Sequence, residues 1–260
     1  MNSNSMPSLV SKLKNTYEKC NSVLCVGLDL RIPETKTTED SLEFLFNTSQ
    51  EIINSLNKEH LTYTFKFNYA FFAQLGYPGL KILYELIEKN KKENFIILDF
   101  KRSDIESTME TYAKEAVFYT PDAVTLVPFF GKKSLMPFIN LNSILSYVVL
   151  YPSNQDGQLI VNSTIEIKGQ KKRLFEYLYE KLNMYENVGF VIPFHETLLK
   201  EFHTSYLLLP GLGAQGYELT NQKKYLTWKH RVNVSRGILY PENNKTLLQS
   251  ALYYNQLLKI

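Results

Sequence analysis

Asp99, Lys101 and Asp104 crowd the point where the apolar run from Phe95 to Leu98 gives way to charge. In an extended strand side chains alternate faces, so Asp99 and Lys101 point the same way. Asp104 falls where Ile105, Thr108, Met109, Tyr112, Ala113 and Ala116 begin a helical stripe. Two carboxylates and an ammonium thus gather where a buried strand turns into a helix. An ordinary turn, with Ser103 or Asp104 as helix N-cap and Glu106 in support, accounts for Asp104. It does not account for Asp99 and Lys101, which continue a strand whose other positions read as buried, where charges are rarely left unpaired. The cluster reads as functional.

Two further segments offer phosphate chemistry. Pro210-Gly211-Leu212-Gly213-Ala214-Gln215-Gly216 and Ser235-Arg236-Gly237 each follow an apolar run. Glycines let backbone N–H groups approach an anion, a following helix N-terminus adds positive potential, and an arginine supplies a bidentate clamp. The first segment also spells G-x-G-x-x-G. A dinucleotide site would need a sound helix next and an acidic residue about twenty positions on; the helix is weak and Arg236 stands there instead. Gly131-Lys132-Lys133-Ser134 lacks the rest of a phosphate-binding P-loop and reads as a helix cap. His60, His195, His203 and His230 are scattered without metal-site spacing, and no serine sits in a nucleophile elbow, so neither a metal site nor a serine triad is expected.

These residues need a scaffold that brings distant strand ends together. Eight strand-like runs recur, at Val23–Leu28, Tyr63–Phe67, Phe95–Phe100, Ala123–Val127, Tyr147–Tyr151, Val188–Ile192, Tyr206–Leu209 and Arg231–Ser235. Helical stripes separate them, at Leu42–Leu56, Leu80–Lys89, Ile105–Phe118, Leu135–Leu141, Leu174–Leu182, Glu196–Phe202 and, more weakly, Tyr217–Leu226; one helix over about 7–20 precedes them and Leu247–Leu258 closes the chain. Strands apolar along their whole length and separated by helices imply parallel pairing with both faces covered. The expected fold is α/β, a single-domain (β/α)8 TIM barrel over residues 1–260 with an N-terminal helix; an open doubly wound sheet is the runner-up. The loop from Pro152 to Gln170 is long, with Leu159–Ile167 alternating enough for a small hairpin.

Ligands of parallel α/β folds bind at the carboxyl ends of the strands. Those ends carry Asp29; Lys66 and Asn68, two apart on one face; Asp99 and Lys101; Ser153 and Asn154; and the two glycine-containing turns with Gln215 and Arg236. Pro128-Phe129 and Pro193-Phe194 read as apolar walls. In barrels, a phosphate site commonly comes from the loops after strands seven and eight, which is where the glycine turns fall.

Bulk properties exclude other classes. A net charge of +3 without a block of like charge leaves no nucleic-acid footprint. No apolar stretch approaches the ~20 residues of a membrane helix, and no secretory signal is visible, so a cytoplasmic protein with Cys20 and Cys25 as reduced thiols is expected.

Taken together, Gly27-Leu28-Asp29, Lys66-Phe67-Asn68, D-x-K-x-x-D-I-x-x-T from Asp99 to Thr108, Pro210 to Gln215 and Ser235-Arg236-Gly237 resemble the orotidine 5'-phosphate decarboxylases, in their longer branch. The resemblance runs in order from strand one to strand eight. It implies cofactor-free decarboxylation of orotidine 5'-phosphate (OMP) to UMP in pyrimidine biosynthesis. Lys66, Asp99, Lys101 and Asp104 would form the charged tetrad, with Lys101 protonating C6. Asp29, Lys66 and Asn68 would hold the ribose, Ser153 the pyrimidine amide, and Gln215 and Arg236 the 5'-phosphate. Asp104 and Thr108 would reach into the partner's site, which implies a homodimer. The chain departs from the family pattern at Leu30, where Pro is frequent, in the loop Pro152–Asp156, and at Tyr217. Two alternatives stay open: a magnesium-dependent sugar-phosphate decarboxylase of the same superfamily, in which an acidic residue is expected in place of Lys66, and a catalytically silent nucleotide-phosphate binder.

Overall fold

The structure is a computed structural model that describes residues 6–34, 37–212 and 222–260. Eight parallel strands close into a barrel: β1 (Leu24–Gly27), β2 (Thr64–Asn68), β3 (Phe95–Arg102), β4 (Ala123–Leu126), β5 (Leu145–Val149), β8 (Val188–Val191), β9 (Tyr206–Pro210) and β10 (His230–Val234). Two more, β6 (Thr164–Ile167) and β7 (Gln170–Arg173), form an antiparallel hairpin outside it. The helices are α1 (Met6–Cys20), α2 (Thr38–Lys58), α3 (Tyr69–Ala73), α4 (Gly76–Asn90), α5 (Glu106–Tyr119), α6 (Lys132–Ile139), α7 (Gln155–Val161), α8 (Leu174–Leu182), α9 (Glu196–Phe202), α10 (Arg236–Leu239) and α11 (Leu247–Leu257). Closure is explicit: β1 pairs with β2 on one side and with β10 on the other, with Val26 opposite both Phe65 and Val234. The open doubly wound sheet is thereby excluded.

Burial explains the uniform strands. Outward side chains such as Phe65, Ile96, Leu98, Val124 and Val148 pack under the helices, in the larger apolar cluster. Inward ones, including Cys25, Phe95, Ile97, Ala123, Leu145 and Tyr147, form a second cluster that Leu9 and Leu13 of α1 cover. The N-terminal helix is therefore a plug. Arg231 fastens it: the guanidinium is fully buried and donates to the Leu13 carbonyl, Thr16 Oγ1 and Thr64 Oγ1. Helix starts are fixed locally, as where Thr37 and Asp40 form a capping box on α2 and Thr246 and Gln249 form another on α11.

Three expectations shift. β5 starts at Leu145 and ends at Val149, two residues ahead of the run read from the aromatics. The hairpin spans 164–173 rather than 159–167, because Gln155–Val161 winds into α7. Its turn is Lys168-Gly169, both at positive φ (53° and 77°), the backbone a tight two-residue connection requires. Gly131 does precede α6 as its N-cap. Of the expected helix 217–226, Gln222–Tyr225 forms a 3₁₀ turn and most of the rest lies outside the described residues.

Candidate active site

Four charges line up at the carboxyl ends of β1, β2 and β3. Lys66 on β2 is nearly buried, and its Nζ lies 3.0 Å from Asp99 Oδ2 and 3.5 Å from Asp29 Oδ1. Asp99 Oδ1 in turn lies 2.6 Å from Lys101 Nζ. The row reads Asp29, Lys66, Asp99, Lys101, alternating in sign.

Neighbours keep these groups ionised. Burial alone would raise the Asp99 pKa, but Lys66 and Lys101, with hydrogen bonds from Lys101 and Thr125, hold the carboxyl well below its ordinary range. For Lys66 burial pulls the ammonium down, and the charges of Asp99 and Asp29 outweigh it, so the pKa rises above the usual lysine value. At neutral pH the interior of the row is a fixed ion pair rather than a pair of neutral groups. The Lys101 side chain is half exposed and brings its ammonium to the solvent end of the row.

The backbone route to this arrangement is not a regular strand. β3 and β4 pair Leu98 with Val124, then Arg102 with Leu126, so β3 spends two extra residues across Asp99–Lys101. Lys101 takes up the bulge at φ 44°, in the left-handed region that a residue with a Cβ seldom enters. Thr125 on β4 faces the bulge. Its hydroxyl donates to Asp99 Oδ1 at 2.7 Å and accepts the Lys101 N–H at 3.1 Å. Arg102 pins the far side with a two-pronged ion pair to Glu115 of α5, its guanidinium stacked between Tyr69 and Tyr112.

Asp104 does not join the row within one chain. Its carboxylate accepts the Ile105 N–H at 2.7 Å, in the turn between β3 and α5. Neither Ser103 nor Asp104 is the N-cap: Ile105 occupies that position, and Ser103 Oγ donates to the Val127 carbonyl instead. Asp104 is half-buried, Ile105 is exposed at the N-cap position, and Thr108, half-buried, lies three residues on in the first turn of α5. Asn68 caps α3 through Oδ1, accepting the Ala70 N–H. Ser153 follows β5 by four residues, and its carbonyl accepts a bond from Gln158 of α7.

Around the barrel, β10 delivers Arg236 to the start of α10, exposed beside the end of β1. It lines a cavity of about 460 Å³ with Arg31, Gly237, Tyr240, Lys245 and Tyr254. Arg31 stacks on the Tyr240 ring at 5.3 Å and donates its backbone N–H to Tyr240 Oη. Three cations against Glu242 make this an anion-favouring hollow. It lies beside the charged row rather than over it, since none of Lys66, Asp99 and Lys101 lines it. Gly211, just after β9, sits at φ 108°, a conformation that favours glycine, and a Cβ at Gly237 would press on the Tyr254 hydroxyl at 2.5 Å. Gln215 lies outside the described residues, as do Gly213, Gly216 and Tyr217.

The structure therefore brings Asp29, Lys66, Asp99 and Lys101 together and sets Arg236 apart from them, as a separate anion site would be. Sequence reasoning missed Thr125, Arg31 and Lys245. Thr125 had one legible signal: it stands two residues beyond Ala123, on the inward face of β4. Among the described residues, no group of three His, Cys, Asp or Glu side chains is arranged to hold a metal ion.

Comparison with known proteins bears on this geometry. Residues 22–250 match the model of the orotidine 5'-phosphate decarboxylase / HUMPS family. The orotidine 5'-phosphate decarboxylase of Dehalococcoides mccartyi (strain 195) is 36% identical, over 93% of this chain and 92% of that protein. The Leptospira interrogans enzyme of the same name is 31% identical, over 90% and 88%. Among solved structures, a putative orotidine-monophosphate decarboxylase from Toxoplasma gondii superposes with a TM-score of 0.78 at 26% identity, covering 95% of this chain and 94% of that one. Leishmania donovani UMP synthase gives 0.78 at 25% identity, covering 97% of this chain but 56% of its own.

Proposed function

The chain belongs to the orotidine 5'-phosphate decarboxylase / HUMPS family, and on that premise we propose that it converts OMP to UMP and carbon dioxide without a cofactor. The observation that carries the reading is the row Asp29, Lys66, Asp99, Lys101, with Asp99 held ionised between two lysines. Breaking the C6–carboxylate bond leaves an electron pair on C6. A cation fixed in place before the reaction stabilises that pair without reorganising. Lys101 Nζ supplies the charge and then its proton to C6, while Asp99 and Lys66 keep it oriented. Lys66 and Asp99 each hold the other ionised, so their protonation is coupled and belongs to the pair.

Binding is assigned in the same way. Asp29, Lys66 and Asn68 hold the ribose, Ser153 the pyrimidine, and Gln215 with Arg236 the 5'-phosphate, the last supported by the basic hollow beside β10. Phosphate binding away from the reacting carbon supplies energy for closing loops over the site. Asp104 and Thr108, at the β3–α5 turn and outside the row of their own chain, complete the site of a second copy, so the working unit is a homodimer of single-domain catalytic chains in the cytoplasm. A magnesium-dependent sugar-phosphate decarboxylase is the competing reading, and the ammonium of Lys66 between two carboxylates speaks against it. The deciding experiment follows the ultraviolet absorbance of OMP with purified protein. The expected result is loss of absorbance with no added metal and no change after EDTA; activity abolished by EDTA and restored by magnesium would overturn the proposal.

A further inference from the structure

Thr125 stands outside every role assigned above, yet its side chain bonds both Asp99 and Lys101 of the β3 bulge. A hydroxyl offers one donor and two acceptor lone pairs. Here the donor goes to Asp99 Oδ1 at 2.7 Å and an acceptor lone pair takes the Lys101 N–H at 3.1 Å. The residue is buried to 1% exposure, so water does not compete for either bond. In a regular parallel ladder a backbone carbonyl would accept that N–H; the register jump from Leu98–Val124 to Arg102–Leu126 leaves Thr125 opposite the extra residues. Lys101 is the residue forced to φ 44°, and its ammonium folds back to share the same Asp99 oxygen at 2.6 Å.

We propose that Thr125 is a positioning residue: one hydroxyl locks the backbone of Lys101 and the carboxylate of Asp99 into a single geometry and so aims the ammonium at the reacting carbon. The proposal rests on Lys101 being the acid of the decarboxylation. The aim depends on a strained backbone, which persists only where its surroundings over-determine it. Ion pairing with Asp99 fixes a distance but not a direction, because an ammonium rotates freely and its stem is flexible. The bond to the Lys101 N–H fixes the direction from which that stem leaves the strand. Arg102 holds the next residue through Glu115, so the bulge is clamped on both sides of the lysine.

The test compares Thr125→Val, which keeps the shape and removes the hydroxyl, with Thr125→Ser, which keeps the hydroxyl. Misplacing a reacting group by about 1 Å costs about 100-fold in rate, so Thr125→Val is expected to lose about 100-fold in kcat with KM within about threefold. Thr125→Ser is expected to stay within about fivefold of the parent in kcat. A merely structural threonine would lower the melting temperature of both variants and spare the kcat of whatever folds. The proposal is overturned if Thr125→Val keeps its kcat, if only KM rises, or if Thr125→Ser falls as far as Thr125→Val. Should Thr125→Val fail to fold, Thr125→Ala set against Thr125→Ser carries the same contrast. A crystal structure of the valine or alanine variant separates this inference from the proposed activity. Lys101 is expected to leave the left-handed region and lose contact with Asp99 Oδ1, whether or not the parent turns over OMP. An unchanged Lys101 in that structure would refute the positioning role.

Discussion

Replacing Asp99 with asparagine should destabilise the fold strongly, and the loss should shrink as pH rises. Asp99 and Lys66 are 8% and 6% exposed, so their ion pair is not screened by solvent. Asparagine keeps the shape but leaves Lys66 with Asp29 alone, at 3.5 Å. Removing one partner of a buried pair costs about 3–5 kcal/mol, because the other charge stays buried without compensation. In a chain of this size that corresponds to a melting temperature lower by roughly 6–20 °C. The sign with pH follows from linkage. In the parent, Lys66 is raised above its unfolded value, so its contribution is complete below the ordinary lysine pKa of about 10.4 and is lost only as pH rises through the folded value. In Asp99→Asn the buried lysine is pushed below that ordinary value, so the unfolded chain binds the extra proton and stability increases from about pH 7 towards 10. Asp99 itself, with its folded pKa depressed, stabilises the parent above its unfolded value of about 3.9 and loses that effect only in strong acid. The assay is urea unfolding of parent and variant at several pH values between 6 and 10, with Asp99→Asn/Lys66→Met as the compensated control. A cost under about 1 kcal/mol, or a cost independent of pH, would refute the picture of a buried, mutually ionised pair.

Two further outcomes probe binding and assembly. Arg236→Ala should raise KM for OMP by roughly 10–100-fold, the worth of a charge-assisted bond to phosphate, with a smaller rise for Arg31→Ala; an unchanged KM in Arg236→Ala would remove it from the phosphate site. Inactive Lys101→Ala and Asp104→Ala chains, mixed and reassembled, should regain activity in the fraction of sites built from one intact lysine and one intact aspartate. Verified mixed dimers without activity would refute the shared site.

Much of this site is legible in the residues because the fold converts strand ends into neighbours. Asp29, Lys66 and Asp99 are far apart in sequence, yet each lies in or just beyond an apolar run, and a closed parallel barrel has only one place to put such ends. Simple alternation places Asp99 and Lys101 on one face of the strand. They do meet, but through a bulge and a positive φ that alternation does not contain. Thr125 is not legible for a related reason: a threonine is an ordinary residue in a β-strand, and only the register against the bulge gives its hydroxyl a task. The hairpin lies further along than 159–167 because that segment can be read with either period, and the lysine-glycine turn that fixes its position lies just beyond it. Arg31 and Lys245 come to Arg236 through loops whose path no local pattern specifies. Asp104 is the instructive case. The sequence offers it as a helix cap, yet Ile105 occupies the N-cap position and makes no side-chain capping bond.

In the proposed reaction Lys101 delivers the proton while separate groups hold the nucleotide. Measuring Lys101→Ala for both turnover of OMP and calorimetric binding of UMP tests it most directly. Turnover is expected to fall by many orders of magnitude with UMP still bound; near-parental turnover in that variant would rule out Lys101 as the proton donor.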